Sequence, residues 1–189
     1  MSRNSVCPWQ AGHTLNIAAR RLLHNPQRML GKYISQSMTV MDVGCGMGYF
    51  TIPMAQMVGE NGEVVAVDLQ PEMLAGMLDS ADNCRVGKIV TPVNCNKDSL
   101  GIGNWEGKID FALVFMMLHE VPDQQRVIQE LYTALSQDGI LLFAEPIIHV
   151  KQAEFMRSLQ TIKREGFDVL DTPSIPICKA VVLKKRNKN

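Results

Sequence analysis

The sequence has no excess of either charge, no paired cysteines and no long apolar run. Its 19 basic residues equal its 19 acidic residues, so no overall field would gather nucleic acid or anionic lipid. Its 5 cysteines include no C-x-x-C pair, which argues against a zinc site or a disulfide framework. The most apolar stretch, 109–118, is too short to span a bilayer. We therefore expect a cytoplasmic protein with reduced thiols, a small or neutral substrate, and no nucleic acid, metal or membrane span.

The length of the chain bounds its domain organisation. With 189 residues it is long enough for one well-buried core and too short for two ordinary domains. We predict a helical extension over 1–36, followed by one main domain over 37–189.

The extension carries two helical signals. Apolar residues from Leu15 to Leu23 recur at helical spacing. Asn25 followed by Pro26 predicts an N-cap and the start of a second short helix that runs to about Ile34. Such helices either form a lid over a binding site or only cover one edge of a sheet.

The main domain alternates short apolar runs with longer amphipathic ones. Strands are predicted at 39–43, 63–67, 88–94, 109–115 and 140–144, and helices at 49–58, 71–80, 123–136 and 151–165. This pattern predicts an α/β fold with a doubly wound, Rossmann-like parallel sheet and helices on both faces. Two further strand-like runs, 167–170 and 177–183, leave no room for a crossover helix between them, so they form a terminal antiparallel hairpin.

A glycine loop joins the first strand to the first helix of this domain and reads DVGCGMGYF from Asp42 to Phe50. Alternate glycines let the backbone turn sharply and approach a ligand, and the N–H groups of the following helix can bind an anion. Tyr49 stands where the dinucleotide fingerprint G-x-G-x-x-G has its third glycine. Asp42 would repel a pyrophosphate and attract a cationic amino acid head group.

This loop resembles the first motif of the class I S-adenosylmethionine-dependent methyltransferases, in which an acid is followed by Gly-x-Gly-x-Gly. The resemblance implies that S-adenosylmethionine is the cofactor and that a methyl group is transferred to an acceptor. The loop residues that it places at the cofactor are Asp42, Gly44, Cys45, Gly46 and Gly48.

A second element is the apolar strand that ends in Asp68 and Leu69. A carboxylate at the carboxyl end of this strand can bind both hydroxyls of a ribose, which predicts a nucleoside ligand. Alternatively, Asp68 caps the helix that begins near Pro71.

Asn96, Lys97 and Asp98 stand where the family usually carries an acid that accepts a hydrogen bond from the adenine amino group. Aligned on the Ser-Leu pair that follows, the usual acid falls on Asn96, which departs from the pattern. The amide oxygen of Asn96 could accept the same bond. Either Asn96 or Asp98 faces the base, and Asp98 is otherwise part of a structural turn.

The segment around His119 resembles the Leu-His-x-x-x-Asp segment of methyltransferases of the ubiquinone and menaquinone biosynthesis type. The resemblance implies that Phe115 and Met116 line the cofactor, whereas His119 and Glu120 lie where the substrate is bound. The alternative for His119 is a packing or capping role.

Glu145 follows the predicted fifth strand and should reach the same rim as Asp68. It either orients the substrate or is a solvated loop acid. Methyl transfer from a sulfonium is an in-line displacement that depends mainly on proximity and a dry cleft. A general base is needed only where the acceptor must lose a proton, and the candidates are His119, Glu120 and Glu145.

Two other functions fit the same sheet. The first is an NAD(P)-dependent oxidoreductase, against which Tyr49 and the terminal hairpin argue. The second is a noncatalytic S-adenosylmethionine-binding partner subunit. A methyltransferase with a small-molecule acceptor, apolar or a carbon acid, is the favoured interpretation.

Overall fold

The computed structural model describes residues 22–186, and seven strands and five α-helices lie entirely within this range. The strands are β1 (Thr39–Val43), β2 (Glu63–Asp68), β3 (Val90–Asn94), β4 (Ile109–Phe115), β5 (Leu135–Pro146), β6 (Phe167–Asp171) and β7 (Cys178–Lys185). The helices are α1 (Pro26–Leu30), α2 (Thr51–Val58), α3 (Pro71–Asn83), α4 (Gln124–Ala134) and α5 (Gln152–Glu165).

The strands form one sheet in the order β3-β2-β1-β4-β5-β7-β6. The neighbouring pairs among β1 to β5 are parallel, and β7 runs antiparallel to both β5 and β6. The predicted doubly wound sheet with a terminal antiparallel hairpin is therefore confirmed. The order in which successive strands are added to the sheet reverses between β1 and β4, which leaves a crevice at their carboxyl ends.

The core lies on both faces of this sheet because successive strand residues point to opposite sides. Val40 packs with α1, α2 and α3, whereas its neighbour Met41 packs with α4 and α5. Both side chains are fully buried. The sheet is thus covered on both faces, as a parallel sheet requires.

Some element boundaries differ from the prediction. The segment expected to begin a strand at 88 first forms a 3₁₀ turn over Gly87–Ile89. Strand β5 begins at Leu135 rather than at 140, because α4 ends at Ala134 and the chain becomes extended at once. Its pairing with β4 shifts register, because Ile109 pairs with Leu135 whereas Phe111 pairs with Ile140.

The predicted N-terminal extension is described only from Leu22 onward, so most of its first helix lies outside the described residues. The second helix begins as predicted, because the Asn25 side chain accepts a hydrogen bond from the Arg28 N–H at 3.0 Å. It ends at Leu30 instead of Ile34, with Gly31 as its C-cap. None of the helices within 22–186 is long and apolar enough to cross a membrane.

Contacts with the terminal hairpin hold this N-terminal segment in place. Lys32 Nζ lies 2.6 Å from Asp171 Oδ2, and the Tyr33 hydroxyl donates to the same oxygen at 2.9 Å. Leu30 is fully buried in the core. The segment from α1 onward is therefore an integrated part of the fold, on the same side of the molecule as the hairpin loop.

Candidate cofactor and acceptor site

The carboxyl ends of β1, β2, β4 and β5 meet around a cavity of about 1650 Å³. Ten of the residues predicted to bind the cofactor line it, together with two of the candidate catalytic residues. The former are Gly44, Cys45, Gly46, Gly48, Asp68, Leu69, Asn96, Lys97, Phe115 and Met116, and the latter are His119 and Glu120. The remaining three predicted residues, Asp42, Asp98 and Glu145, are not part of the lining.

The glycine loop presents bare backbone to this cavity. Gly44, Gly46 and Gly48 have φ angles of +74°, +54° and +86°. Residues other than glycine rarely adopt such backbone conformations. The N–H groups of Gly44 and Cys45 both donate to Val67 O, at 2.9 and 3.0 Å, so the loop is tied to β2. A Cβ at Gly46 would meet no protein atom within 4 Å. Gly46 therefore borders open space that a ligand can occupy.

Asp42 lies beneath the loop instead of in the cavity wall. Its side chain is buried, with 3% exposed, and its Oδ2 accepts a hydrogen bond from the Thr51 hydroxyl at 2.7 Å. Thr51 is the first residue of α2. Asp42 thus connects the end of β1 to the start of α2, and its action on a cationic head group stays a prediction.

The carboxylate of Asp68 bonds to backbone N–H groups of the glycine loop and of the residue before α3, but it does not cap α3, whose N-cap is Gln70 with no side-chain cap bond. Its Oδ2 accepts from the Gly46 N–H at 2.9 Å, and its Oδ1 accepts from the N–H of Gln70, the N-cap residue of α3, also at 2.9 Å. Each carboxylate oxygen has a second lone pair that can accept a bond from a ligand hydroxyl. Asp68 lines the cavity while it holds the glycine loop and α3 together.

Asn96 rather than Asp98 reaches the cavity. The amide oxygen of Asn96, however, accepts from the N–H groups of Asp98 and Ser99 at 2.8 and 2.9 Å. These two bonds use the two lone pairs that an adenine amino group would need. The side-chain oxygen therefore shapes the loop, and the amide NH₂ is the part of Asn96 best suited to a ligand.

His119 and Glu145 form a close pair at the carboxyl ends of β4 and β5. Glu145 Oε2 lies 2.6 Å from His119 Nδ1, and Glu145 Oε1 accepts from the His119 backbone N–H at 3.0 Å. With 2% exposed, Glu145 is buried, so the alternative of a solvated loop acid is wrong. Its carboxylate raises the pKa of His119 above the ordinary value, against the effect of burial.

Two groups around this pair also face the cavity. Glu120 Oε1 lies 4.0 Å from His119 Nε2. The ring of His149 stacks nearly parallel to the ring of His119, with 6.4 Å between their centroids. Sequence reasoning missed His149, although its position just after the carboxyl end of β5 is where ligands bind in such sheets.

The N-terminal segment also contributes to the cavity wall, through residues 23–27. His24 is buried, its ring lies edge-on to Phe115 at 5.1 Å, and its Nε2 lies 2.9 Å from Pro176 O. The Tyr49 hydroxyl donates to His24 O at 3.0 Å. These contacts favour the lid interpretation of this segment over one that only covers a sheet edge. Nothing in the sequence singled out His24.

Three cysteines, Cys45, Cys84 and Cys95, line the cavity, and the two with a perturbed pKa, Cys45 and Cys95, are poor nucleophiles. Burial raises the pKa of Cys95 to about 11 and places the pKa of Cys45 still higher. Both thiols are thus protonated at neutral pH. Within residues 22–186 no group of histidines, cysteines and acids could hold a metal ion.

Comparisons with known proteins agree with this geometry. A family model described as a methyltransferase domain matches residues 34–174. The ubiquinone/menaquinone biosynthesis C-methyltransferase of Enterobacter sp. (strain 638) is 29% identical over 118 residues, which are 61% of this chain and 46% of that protein. The chain therefore spans about half the length of the curated relatives that it matches.

Two solved structures share the fold. A SAM-dependent methyltransferase from Aquifex aeolicus matches with a TM-score of 0.84 and 20% identity, over 95% of this chain and 100% of that one. A SAM-dependent O-methyltransferase from Thermotoga maritima matches with a TM-score of 0.69 and 15% identity, over 87% of this chain and 66% of that one. At these identities the likeness concerns the fold alone.

Proposed function

The chain belongs to the methyltransferase domain family, and from that premise we propose that it transfers a methyl group from S-adenosylmethionine to a small acceptor molecule. The observation that carries this proposal is the bare glycine loop that faces the cavity beside Asp68.

The residues of the cavity fit this cofactor. A Cβ at Gly46 would project into open space, which a ligand can fill. Asp68 has acceptor capacity for ribose hydroxyls beyond the two backbone bonds that it accepts. A cavity of about 1650 Å³ exceeds the roughly 300–1,000 Å³ typical of a site for one small ligand. The space therefore suits a cofactor and an acceptor together.

The two halves of the cavity have different tasks in this proposal. Gly44, Gly46 and Gly48 hold the amino acid part of the cofactor, with the charge of Asp42 beneath them. The ribose binds Asp68 beside Leu69, and the base lies near Asn96 and Lys97. In this proposal Phe115 and Met116 also line the cofactor half, and the lining residues His119 and Glu120 belong to the acceptor half.

Bound S-adenosylmethionine supplies a methyl group on a positively charged sulfur, so the leaving group is already activated. The protein contributes the alignment of the two reactants and the exclusion of water from the cleft. The N-terminal segment closes one wall through His24, and the loop after β5 closes another through Ile148 and His149. A small acceptor can then approach the methyl carbon in line.

An oxidoreductase is less consistent with the same site. Tyr49 replaces the third glycine of the dinucleotide fingerprint, and its hydroxyl is bonded to His24 O. No observation favours a noncatalytic partner subunit, and a location in the cytoplasm stays a prediction.

Thermal unfolding tests the cofactor class. S-adenosylhomocysteine at about 100 times its Kd should stabilise the fold by about 2.7 kcal/mol and raise Tm by about 5–10 °C. NADH at the same concentration should leave Tm unchanged. Equal stabilisation by the two ligands, or none by S-adenosylhomocysteine, would contradict the proposal.

A further inference from the structure

His119 lines the cavity outside the set of residues proposed to hold the cofactor, and Glu145 is buried in contact with its ring. We propose that His119 is the catalytic residue that removes a proton from the acceptor, that Glu145 is its positioning residue, and that the acceptor is an uncharged weak acid with a hydroxyl or an acidic C–H. This inference rests on the proposed methyl transfer.

The contacts of Glu145 fix the orientation of the imidazole. One carboxylate oxygen accepts from the backbone N–H of His119 and the other contacts Nδ1 at 2.6 Å, so both oxygens hold the same residue. A carboxylate accepts only, which places a proton on Nδ1. In the neutral ring Nε2 then carries the lone pair. Since His119 lines the cavity and Nδ1 is engaged, Nε2 is the nitrogen that an acceptor can reach.

The groups that face His119 stabilise the ring after it has taken a proton. Glu145 at the end of β5 contacts Nδ1, Glu120 lies 4.0 Å from Nε2, and Glu154 on α5 adds a smaller electrostatic effect that also raises the pKa. The fourth titratable neighbour is His149, which stacks on the ring. Three carboxylates around one imidazole make it a stronger base than a solvent-exposed histidine.

The walls near His119 indicate what kind of acceptor fits. Met116, Met117, Val121, Pro122 and Ile148 supply apolar surface. Among the described residues that line the cavity, the one lysine or arginine is Lys97, which follows β3 on the cofactor side. An acceptor with a carboxylate or phosphate would meet Glu120 without a lysine or arginine nearby to balance the negative charges. An uncharged acceptor with a hydroxyl or an acidic C–H meets no such repulsion.

The step is balanced without another reactant. The proton of the acceptor moves to His119 Nε2, and the electron pair that it leaves forms the new bond to the methyl carbon. The pair of the old carbon–sulfur bond stays on sulfur. One positive charge is thereby lost at sulfur and one is gained at the imidazole, next to the buried carboxylate of Glu145.

An NMR titration of the ligand-free protein tests the positioning role of Glu145. The pKa of His119 should fall toward the ordinary histidine value in Glu145→Gln, and Glu145→Asp should retain part of the elevation. The matched control is Glu60→Gln, which removes the same charge from an exposed site between α2 and β2 and should leave the titration unchanged. An unchanged pKa in Glu145→Gln would overturn the inference.

Binding of a matched pair of probes tests the acceptor class. With S-adenosylhomocysteine present, 1-naphthol should bind at least tenfold more tightly than 1-methoxynaphthalene, which has no hydroxyl proton. The preference should disappear in His119→Phe. Equal affinities in the wild type, or a preference that survives in His119→Phe, would overturn the inference.

Calorimetry with S-adenosylhomocysteine separates the two proposals and checks that the variants fold. Glu145→Gln and His119→Phe should bind it as the wild type does, because neither residue lies in the cofactor half. If the wild type fails to bind it, the methyltransferase proposal fails. If binding is intact while the titration and the probes show no effect, only the base and its acceptor class are refuted.

Discussion

Asp68 accepts a hydrogen bond from the backbone N–H of Gly46 at 2.9 Å, across a separation of 22 residues. The bond joins the end of β2 to the middle of the glycine loop. It means that the carboxylate proposed to bind the ribose also sets the position of the backbone proposed to approach the head group. The part of the site proposed to bind the ribose and the part proposed to bind the head group therefore depend on each other.

Asp68→Ala should weaken S-adenosylhomocysteine binding by about 1–3 kcal/mol, because ligand hydroxyls and the N–H of Gly46 lose a charged acceptor. Isothermal titration calorimetry measures the loss. Asp68→Asn keeps one acceptor oxygen and should lose less. Unchanged affinity in a folded Asp68→Ala variant would remove Asp68 from the site.

Gly46→Ala should cost about 1 kcal/mol of folding stability because of its φ of +54°, and it should weaken cofactor binding at least tenfold because the methyl group enters the cavity. Gly46→Val should abolish binding.

Gly107→Ala is the matched control for this change. Gly107 has a φ of +65°, and a Cβ there also meets no atom within 4 Å, but the residue is not part of the cavity lining. In urea denaturation the Gly107→Ala variant should lose about as much folding stability as Gly46→Ala, and it should bind the cofactor as the wild type does. Equal binding losses at Gly46 and Gly107 would mean that strain, not intrusion, is the cause.

Asn96→Ala should weaken cofactor binding about tenfold, because the loop loses both hydrogen bonds that the amide oxygen accepts. Asn96→Asp keeps those bonds and should bind within about threefold of the wild type. Asp98→Ala is the comparison, since that side chain is not in the lining. A larger loss at Asp98 than at Asn96 would show that the base lies elsewhere.

The contribution of Glu145 to stability should depend on pH. The pKa of His119 is raised in the folded protein, so the extra stability is fully present below the ordinary histidine pKa of about 6.5. It is lost as pH rises through the folded pKa. Urea denaturation from pH 6 to 9 should show the difference between wild type and Glu145→Gln shrinking with pH. A difference that grows with pH would exclude this ion pair.

The alternation of apolar runs was enough to predict the parallel half of the sheet and the terminal hairpin, because burial on both faces leaves a clear pattern. It did not predict that β5 begins at Leu135. The residues from Ser136 to Gly139 look like a helix stop and a turn, and Asp138 does have a positive φ of 70°. Their inclusion in β5 depends on a shift of register against β4, where Ile109 pairs with Leu135 and Phe111 with Ile140, and no local pattern encodes that shift.

Twelve of the fifteen residues predicted for the site line the cavity, but the sequence did not predict the contacts between them. The sequence marked His119 and Glu145 separately, whereas their contact depends on the pairing of Phe115 with Ala144 across β4 and β5. The engagement of the Asn96 oxygen within its own turn was likewise invisible, since an asparagine can bind a ligand or its own backbone. The position of His24 at the cavity depends on contacts with Pro176 and Phe115, which are distant from it in sequence.

Strand β7 occupies the place between β5 and β6, although it is synthesised after both. Until Cys178–Lys185 has left the ribosome, β6 has no partner in the sheet and the outer edge of β5 is unpaired. The parallel strands β1 to β5 can assemble on the emerging chain. The cavity wall that contains Ile177, and the contact between His24 and Pro176, form only afterwards. A nascent or cleaved chain that stops before Cys178 therefore exposes a long strand edge to aggregation and leaves the cavity open on one side.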